Sequence, residues 1–516
     1  MATRRQFLRR TGVAGGFVLA QRVSDIALVT ASDAPLMPEL VQFRPDIEPI
    51  VRLIEDTPRE RCFDMVADQL RRGLSYRRFV AALFLAGIRN VSPQPPGFKF
   101  HCVFVIQAAH QMSVDLPMPD RLLPLFWALD NFKLSQEKDL DEGDFRLSPV
   151  RGRIPADGTA WSEFHAAMQD WDEERADRAI VGLVRTRGAF EIMDQLWQYG
   201  ARDFRNIGHK AIFTANAWRT LQTIGWQHAE PVLRSLVLGL LDFGRDVQRD
   251  GFSFQNQCYL SNAELVRSGG TRLRADWTSG SHDRQAAADI VDAMHSGAAA
   301  DVCRDILSGL QGDTSHTSAA DIWDAVHLAG GELMMRQPGI YGIHTVTSAS
   351  ALRYAFDTAG TPETRLLLTL QAVGWLCQFR AFMSAKEAGL NETSITRLTA
   401  LEIPADAAQA AESVFADIGR DPVAAAGKAM SFAIQHEQSD LMESTARAFI
   451  ARKATDAHDY KYPVAVFEDA GLVSAHWRPN MLAAAAYHVP GSATPDSPLM
   501  LRAAEVIRGL EGRASN

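Results

Sequence analysis

Residues 206–218 read NIGHKAIFTANAW, in which a histidine follows a short break in the chain and opens an apolar helical stretch. Three other stretches repeat this arrangement: residues 98–109 read FKFHCVFVIQAA, residues 341–356 read YGIHTVTSASALRYAF, and residues 455–467 read TDAHDYKYPVAVF. The helix-opening histidines are His101, His209, His344 and His458. Apolar residues at helical spacing after a break predict a helix that begins at or near each histidine.

A second apolar helical stretch follows each of these histidines at a nearly constant distance of 19 to 21 residues. These stretches begin near Arg121, Glu230, Glu363 and Pro479. An amphipathic stretch also precedes each histidine, so the chain reads as four related helical units. The units cover about residues 55–150, 160–265, 285–395 and 400–510.

A unit of a few helices cannot bury its apolar faces alone, so neighbouring units must stack. Units that stack along a curve bring equivalent histidines toward one axis. We therefore expect an all-α fold in which residues 21–516 form a single domain. Its expected architecture is a helical repeat array of four pseudo-repeats, closed or curved around a central metal site.

Helical periodicity also covers most of the remaining chain, and long alternating strand patterns are missing. The clearest helical stretches are Arg59–Ala86, Ala176–Tyr199, Ala211–Leu240, Thr361–Met383 and Leu441–Ile450.

The composition of the 516 residues excludes several classes of protein. Hydrophobic residues make up 47% and charged residues 22%, which is typical of a globular protein. The formal net charge of −9 argues against binding to nucleic acid or to an anionic membrane surface. The five cysteines include no C-x-x-C pair, so they suit neither a disulfide scaffold nor a zinc ribbon.

The amino terminus resembles a twin-arginine export signal. Arg4 and Arg5 lie in the stretch TRRQFLRR, and a short, weakly apolar stretch follows them and ends at Ala20. We expect this signal to engage the twin-arginine export machinery and to be cleaved near residue 20, which places the mature protein in the periplasm or otherwise outside the cytoplasm. We expect no stable membrane insertion. Because this route carries folded proteins, it also favours a metal or cofactor inserted before export.

Four convergent imidazoles would form a metal site that no single unit can build. Neutral imidazole suits iron, zinc, copper, nickel or manganese. The alternative is that each histidine is hydrogen-bonded separately inside an apolar core, as a lone buried histidine usually is.

Other residues extend the candidate site. Lys461 lies three residues after His458 and shares its helix face. A lysine buried there would lose its charge and could carry a carbamate, an anionic oxygen ligand; alternatively, Lys461 reaches solvent. His228 and Tyr341 are candidates for proton transfer, although His228 also suits a structural role at a helix start.

These landmarks resemble the questin oxidase-like family. The resemblance rests on the helix-opening histidines, on the helical Ala351-Leu352-Arg353 after His344, and on the His-x-x-Lys of His458 and Lys461. It spans about residues 60–490 as sparse landmarks. It implies an all-α oxygenase that cleaves aromatic, polyketide-type rings with dioxygen at an iron held by histidines and a carboxylated lysine. The implied ligands here are His101, His209, His344, His458 and Lys461.

The sequence thus predicts an exported iron(II)-dependent oxygenase that acts with dioxygen on a small aromatic or polyketide-like molecule. The chain contains no nucleophile elbow, P-loop, H-E-x-x-H or dinucleotide-binding glycine motif. Two alternatives stay open. One is a metallohydrolase or lyase with zinc or manganese, and the other is a non-enzymatic α-solenoid that binds a partner and keeps its histidines far apart.

Overall fold

The computed structural model describes residues 40–118, 120–246, 254–280, 282–311, 317–437 and 440–511. These residues form 22 α-helices and no β-strand, so the predicted all-α class is confirmed. In the amino-terminal half the helices are α1 (Glu48–Asp56), α2 (Cys62–Arg71), α3 (Tyr76–Asn90), α4 (His101–Val114), α5 (Leu123–Glu142), α6 (Asp157–Asp170), α7 (Glu173–Thr186), α8 (Ala189–Gly200), α9 (His209–Ile224), α10 (Ala229–Leu240) and α11 (Phe254–Gly269).

The carboxyl-terminal half contains helices of similar length. They are α12 (Arg284–Ser296), α13 (Ala299–Gly309), α14 (Ala319–Arg336), α15 (Ile340–Thr358), α16 (Pro362–Ser384), α17 (Ala407–Asp417), α18 (Pro422–Gln435), α19 (Leu441–Lys453), α20 (His458–Leu472), α21 (Arg478–Ala485) and α22 (Pro498–Glu511). Short 3₁₀ turns precede α4 at Phe98–Phe100 and α10 at Trp226–His228.

Some predicted helical stretches are split in two. The stretch Ala211–Leu240 is interrupted after Ile224, where Gly225 has a φ of 110° that ends α9. The stretch Ala176–Tyr199 is likewise divided between α7 and α8. Periodicity alone continues across such breaks because the apolar face of each helix turns toward the same core.

The four helices that carry the candidate ligands, α4, α9, α15 and α20, are called here the histidine helices. They contact one another in a closed cycle: α4 packs against α9, α9 against α15, α15 against α20, and α20 against α4. Each also packs against the helix that follows it in sequence, namely α5, α10, α16 and α21. The histidine helices therefore form an inner ring with the following helices placed against it.

The inner position explains the composition of these helices. Residues on all faces of α15 between Gly342 and Leu352 are buried, so its side chains are mostly small or apolar. The long helix α16 is apolar enough to cross a membrane by length and composition, but 83% of its most apolar window is buried inside the protein. This burial is typical of a core helix.

The buried apolar side chains form one contiguous cluster from Phe43 to Ile507. The predicted twin-arginine signal, residues 1–20, lies outside the described residues. The division into four pseudo-repeats stays a prediction from the sequence.

Candidate metal centre

The histidines lie at the amino-terminal ends of the histidine helices. Helices α4, α9 and α20 begin at His101, His209 and His458, whereas α15 begins one turn before His344. Side chains of a helix tilt toward its amino terminus, so a ring in the first turn projects beyond the helix end. None of the four helices has an N-cap side chain that accepts a hydrogen bond from its first turn. No side chain at the N-cap position itself closes these helix ends.

The four imidazole rings lie together. Nε2 of His209 lies 2.9 Å from Nε2 of His101 and 3.0 Å from Nε2 of His344. The ring of His458 contacts those of His101 and His344, with centroids 4.7 Å and 5.2 Å apart. Ring contacts therefore follow the cyclic order of the helices, and residues that are 108 and 135 positions apart in the chain meet at this point.

Backbone carbonyl groups orient two of the rings. Nδ1 of His101 lies 2.8 Å from the carbonyl oxygen of Phe98, three residues earlier. Nδ1 of His344 lies 2.6 Å from the carbonyl oxygen of Ile340, four residues earlier. Because a carbonyl oxygen only accepts hydrogen bonds, each Nδ1 carries a proton and donates it.

Hydrogen bonds from Nδ1 also orient the rings of His209 and His458. Nδ1 of His209 donates to the carbonyl oxygen of Asn206. Nδ1 of His458 donates to the carboxylate of Asp456, which also accepts the backbone N–H of His458 at 2.8 Å. A histidine ligand of a metal commonly donates its second ring nitrogen to a carbonyl or carboxylate in this way.

The shared tautomer leaves a lone pair on every Nε2. A neutral imidazole has one N–H and one lone pair, and the N–H is used at Nδ1 in all four rings. Two lone pairs at 2.9 Å and 3.0 Å repel each other unless a cation lies between them. Nε2 of His458 is buried with no hydrogen-bond partner in the described part of the chain. The donor set therefore fits a metal ion.

The nitrogen spacing lets three of the rings bind the same ion. The ligand nitrogens of His101, His209 and His344 all lie within 4.8 Å of one another. Metal–imidazole bonds measure about 2.0–2.1 Å, so one ion can lie within bonding distance of all three.

Burial keeps the rings neutral. It holds the pKa values of His101, His209 and His344 well below the ordinary value of 6.5, and the nearby Lys461 lowers them further. Burial also lowers the pKa of His458, although the hydrogen bond to Asp456 opposes this shift. Neutral imidazole is the form that binds a metal.

Lys461 lies directly beneath the rings. Its side chain is buried, its Nζ lies 5.5 Å from the centre of the Phe104 ring, and no described group forms a hydrogen bond with this nitrogen. Burial lowers the pKa of Lys461 to about 7, although Asp456 acts in the opposite direction. Lys461 does not reach solvent, and in its neutral form the amine offers a further lone pair beside the cluster.

The chain before His209 has an uncommon backbone conformation. Asn206, Ile207 and Gly208 have φ values of 57°, 51° and 85°. A left-handed conformation is unfavourable for a β-branched residue such as Ile207. It directs the Asn206 carbonyl group toward His209, and a Cβ atom on Gly208 would lie 2.6 Å from Cβ of Ser348 on α15. Glycine thus permits the close approach of α9 and α15 that brings their histidines together.

A buried ion pair anchors the start of α9. Nζ of Lys210 lies 2.7 Å from the Asp203 carboxylate, and neither side chain is exposed. The carbonyl oxygen of Asp242 accepts a second hydrogen bond from this amine at 2.8 Å. Lys210 therefore points away from the cluster, as its position next to His209 predicts, and fixes the helix end.

The structure places His228 away from the cluster. Helix α9 begins at His209 and ends at Ile224, so it separates the two residues by about 22 Å at 1.5 Å per residue. The charged groups near His228 are Asp46, Arg44 and Arg77, all in the amino-terminal part of the chain. His228 is buried in the 3₁₀ turn before α10, and this location gives no support to its predicted role in proton transfer.

The contacts of Tyr341 are with residues outside the histidine cluster. Its ring packs against Phe382 with centroids 4.9 Å apart, and Nζ of Lys386 lies 5.3 Å from its centre. Both partners belong to the end of α16 or the turn that follows it. Its neighbourhood thus gives no support to the predicted role in proton transfer.

Sequence reasoning missed several residues of the site. Phe104 stacks on His209 at a centroid distance of 5.8 Å and lies edge-on to His101 at the same distance. Asp456 orients His458, and its carboxylate two residues before a helix-opening histidine is a signal that can be read from sequence. The orienting carbonyl groups leave no such signal, because every residue type carries one.

Comparisons of the chain with protein-family models, with curated proteins and with solved structures found no match. The resemblance to questin oxidase-like proteins stays a prediction from the residues alone.

Proposed function

We propose that this protein is an exported metal-dependent oxygenase, which uses iron(II) and dioxygen to act on an aromatic or polyketide-like molecule. The observation that carries the metal site is the pair of Nε2–Nε2 contacts that His209 makes with His101 and His344 at 2.9 Å and 3.0 Å. Facing lone pairs at that distance repel each other, and a metal cation bound between them would remove this repulsion. The amine of Lys461 forms no hydrogen bond with a described group and so does not supply the missing proton. The resemblance described above supports the oxygen chemistry.

His101, His209, His344 and His458 would hold the ion. Lys461, whose charge acts on all four rings, would contribute a further ligand as the resemblance implies. Iron bound there would supply the redox chemistry with dioxygen. The resemblance to questin oxidase-like proteins favours iron over zinc. An ion held by these imidazoles would bind dioxygen at a position that the protein leaves free.

The surroundings of the cluster support an apolar organic substrate. Phe98 is 75% exposed and Ile340 is 45% exposed. The carbonyl groups of these two residues orient His101 and His344, so both side chains lie at the edge of the cluster. Exposed large apolar side chains beside a polar site are typical of a ligand-binding surface. A flat aromatic molecule suits this edge.

The remaining residues would position the reacting groups. Asp456 and the three carbonyl groups hold the rings in one tautomer and one orientation. Phe104 covers the inner side of His209 and excludes water from it. The donor set contains only neutral nitrogens, which favours a low charge on the bound ion.

Metal analysis of the purified protein tests this proposal most directly. We expect wild-type protein expressed without added metal to contain about one iron per chain and to consume dioxygen with aromatic polyketides as substrates. His209→Ala should contain none. His110→Ala is the matched control, because His110 lies on the same helix as His101 but forms its hydrogen bond with Tyr76 at 2.9 Å.

Other results would point to the alternatives. Zinc or manganese in the protein without consumption of dioxygen would indicate a hydrolase or lyase. Equal metal contents in wild type and His209→Ala would contradict the metal site and favour a binding protein.

We also propose export through the twin-arginine machinery, on the sequence of residues 1–20. Replacement of Arg4 and Arg5 by lysine should retain the protein in the cytoplasm. Normal export of the double variant would contradict this proposal.

A further inference from the structure

A pocket rich in arginine lies at the surface where residues 143–156, which join α5 to α6, cross α7 and α10. It has a volume of about 220 Å³ and is called here the arginine pocket. Four arginines line it, two from the crossing segment and one each from α7 and α10: Arg146, Arg151, Arg178 and Arg234. Glu174 and Asp177 also line it, so the lining carries a formal charge of +2 in a chain whose net charge is −9.

Arg234 ties the three parts of the pocket together. Its side chain is buried, and its Nε and Nη2 donate to the Asp177 carboxylate at 2.7 Å and 2.8 Å. Nη2 also donates to the carbonyl oxygen of Ser148 in the crossing segment at 2.8 Å. The third nitrogen, Nη1, forms no hydrogen bond with any described residue. A buried guanidinium group that lines a pocket and keeps one nitrogen unused is a ready donor for an anion.

Two further guanidinium groups are available at the pocket. Arg178 pairs with Glu174, but Nη1 lies 3.5 Å from the carboxylate and the Glu174 side chain is 89% exposed. An ion pair so exposed contributes little and opens easily. Arg151 is exposed and forms no ion pair within the described part of the chain. Arg146, by contrast, is held by Asp144 at 2.8 Å and serves as part of the wall.

The backbone of the crossing segment is fixed in place by other parts of the protein. The N–H group of Leu147 donates to the carbonyl oxygen of Arg89 at 2.9 Å, and the carbonyl oxygen of Leu147 accepts from Val41 at 3.0 Å. At Gly152, where φ is 85°, an added Cβ atom would lie 3.3 Å from Cδ of Arg178. Glycine thus lets the segment lie closely against the Arg178 side chain. A wall that is already ordered loses little entropy when a ligand binds.

We propose that the arginine pocket binds a phosphate monoester of a small organic molecule. A tetrahedral dianion presents oxygen atoms in several directions, and the available guanidinium groups come from three separate elements. The apolar side chains of Phe145, Pro149 and Leu238 also line the pocket and would contact the organic group of the ester. None of the candidate metal ligands lines it, so this site is additional to the proposed function.

Isothermal titration calorimetry of the full-length protein with phenyl phosphate tests the site. We expect binding to wild type, and a dissociation constant at least about tenfold higher in Arg151→Gln and in Arg178→Gln, because each variant loses a charge-assisted hydrogen bond. Arg153→Gln is the matched control, since Arg153 is exposed in the same segment but does not line the pocket. Its dissociation constant should equal that of wild type.

Three related anions separate the sources of the affinity. Inorganic phosphate should bind through the same arginines, but more weakly, because it makes no contact with the apolar side chains. Phenyl sulfate has the shape of phenyl phosphate with a single charge, and benzoate presents a planar carboxylate. Both should bind at least about tenfold more weakly than phenyl phosphate. The metal content of Arg151→Gln should equal that of wild type, which separates this site from any binding of phosphate at the histidine cluster.

A crystal structure of the wild-type protein with phenyl phosphate requires no variant and should place the phosphate group between Arg151, Arg178 and Arg234. No binding of phenyl phosphate at millimolar concentration would overturn the inference. An equal loss of affinity in Arg153→Gln would also overturn it, because it would indicate attraction by the general charge of the segment. Equal affinities for benzoate, phenyl sulfate and phenyl phosphate would overturn the assignment to a phosphate ester.

Discussion

Nε2 of His209 lies 3.0 Å from Nε2 of His344, although the two residues are 135 positions apart in the chain. Both rings donate their Nδ1 protons to a backbone carbonyl group, so the two lone pairs face each other. This arrangement is unfavourable without a cation and favourable with one. Bound metal should therefore stabilise the protein. A substitution of His209 that removes one of the facing lone pairs should remove this dependence on metal.

His209→Gln tests this dependence. The glutamine amide can donate to the lone pairs of His101 and His344, so in the presence of a chelator the variant should unfold at the same temperature as wild type or higher. With metal at 100 times its dissociation constant, wild type should gain about 2.7 kcal/mol that the variant lacks. Calorimetry with and without chelator measures both differences. A variant that is less stable by the same amount in both conditions would contradict the lone-pair argument.

Asp456→Asn should weaken metal binding without unfolding the protein. The carboxylate orients His458 and raises the basicity of its ring, and its pKa lies at about 2, so it is charged at neutral pH. Loss of such a partner typically lowers metal affinity by about 10–100-fold. Competition with a chromophoric chelator measures the change. Asp496→Asn is a suitable control, because Asp496 pairs with Lys453 away from the cluster.

Gly208→Ala should separate α9 from α15. The added Cβ atom would lie 2.6 Å from Cβ of Ser348, at a φ of 85° that disfavours alanine. We expect a loss of about 1–3 kcal/mol of stability, together with weaker metal binding. Ser348→Gly in the same chain removes the clash but not the backbone strain, so it should restore metal binding in part. Urea unfolding and metal titration measure the two effects, and no rescue by the second substitution would contradict this explanation.

The buried pair of Asp203 and Lys210 should contribute a pH-dependent part of the stability. Burial alone raises the pKa of Asp203, but Lys210 and Arg205 outweigh it and lower that pKa below the ordinary 3.8. A depressed carboxyl pKa stabilises the fold above the unfolded-state value of about 3.9, and this contribution disappears as the pH falls through the folded-state pKa.

Single and double substitutions of this pair separate its parts. Asp203→Asn leaves the buried Lys210 without its counter-ion and should cost about 3–5 kcal/mol at pH 7. Asp203→Asn combined with Lys210→Met should cost much less. The difference between wild type and the double variant should shrink below about pH 4. Urea unfolding from pH 3 to 7 measures it, and a constant difference would contradict the assignment.

All five cysteines should be unreactive in the native protein. Each is a buried free thiol, and burial raises the pKa values of Cys62, Cys102 and Cys377 to about 12. Because the thiolate is the reactive form, Ellman's reagent should detect no thiol in native protein and five in guanidinium chloride. A thiol that reacts within seconds in the native state would contradict the burial of these residues.

The sequence predicted the helices better than their ends. The helix starts at His101, His209 and His458 follow from a break and an apolar period, and these signals are local. The helix predicted to begin near Glu230 begins at Ala229, but the position of the break before it, at Gly225, does not follow from the apolar period, which continues from α9 into α10. The distance of His228 from His209 likewise depends on the straight length of α9, which the period alone does not give.

The amino-acid sequence by itself determined the all-α class, the helix-opening histidines and the position of Lys461 one turn after His458. Only the tertiary structure decided that the four rings meet and that every Nδ1 is used in a hydrogen bond. The physical reason is that helix formation depends on residues within one or two turns. The distance between His209 and His344 depends on how α9 and α15 pack, and glycine at position 208 permits that contact across 135 positions of chain.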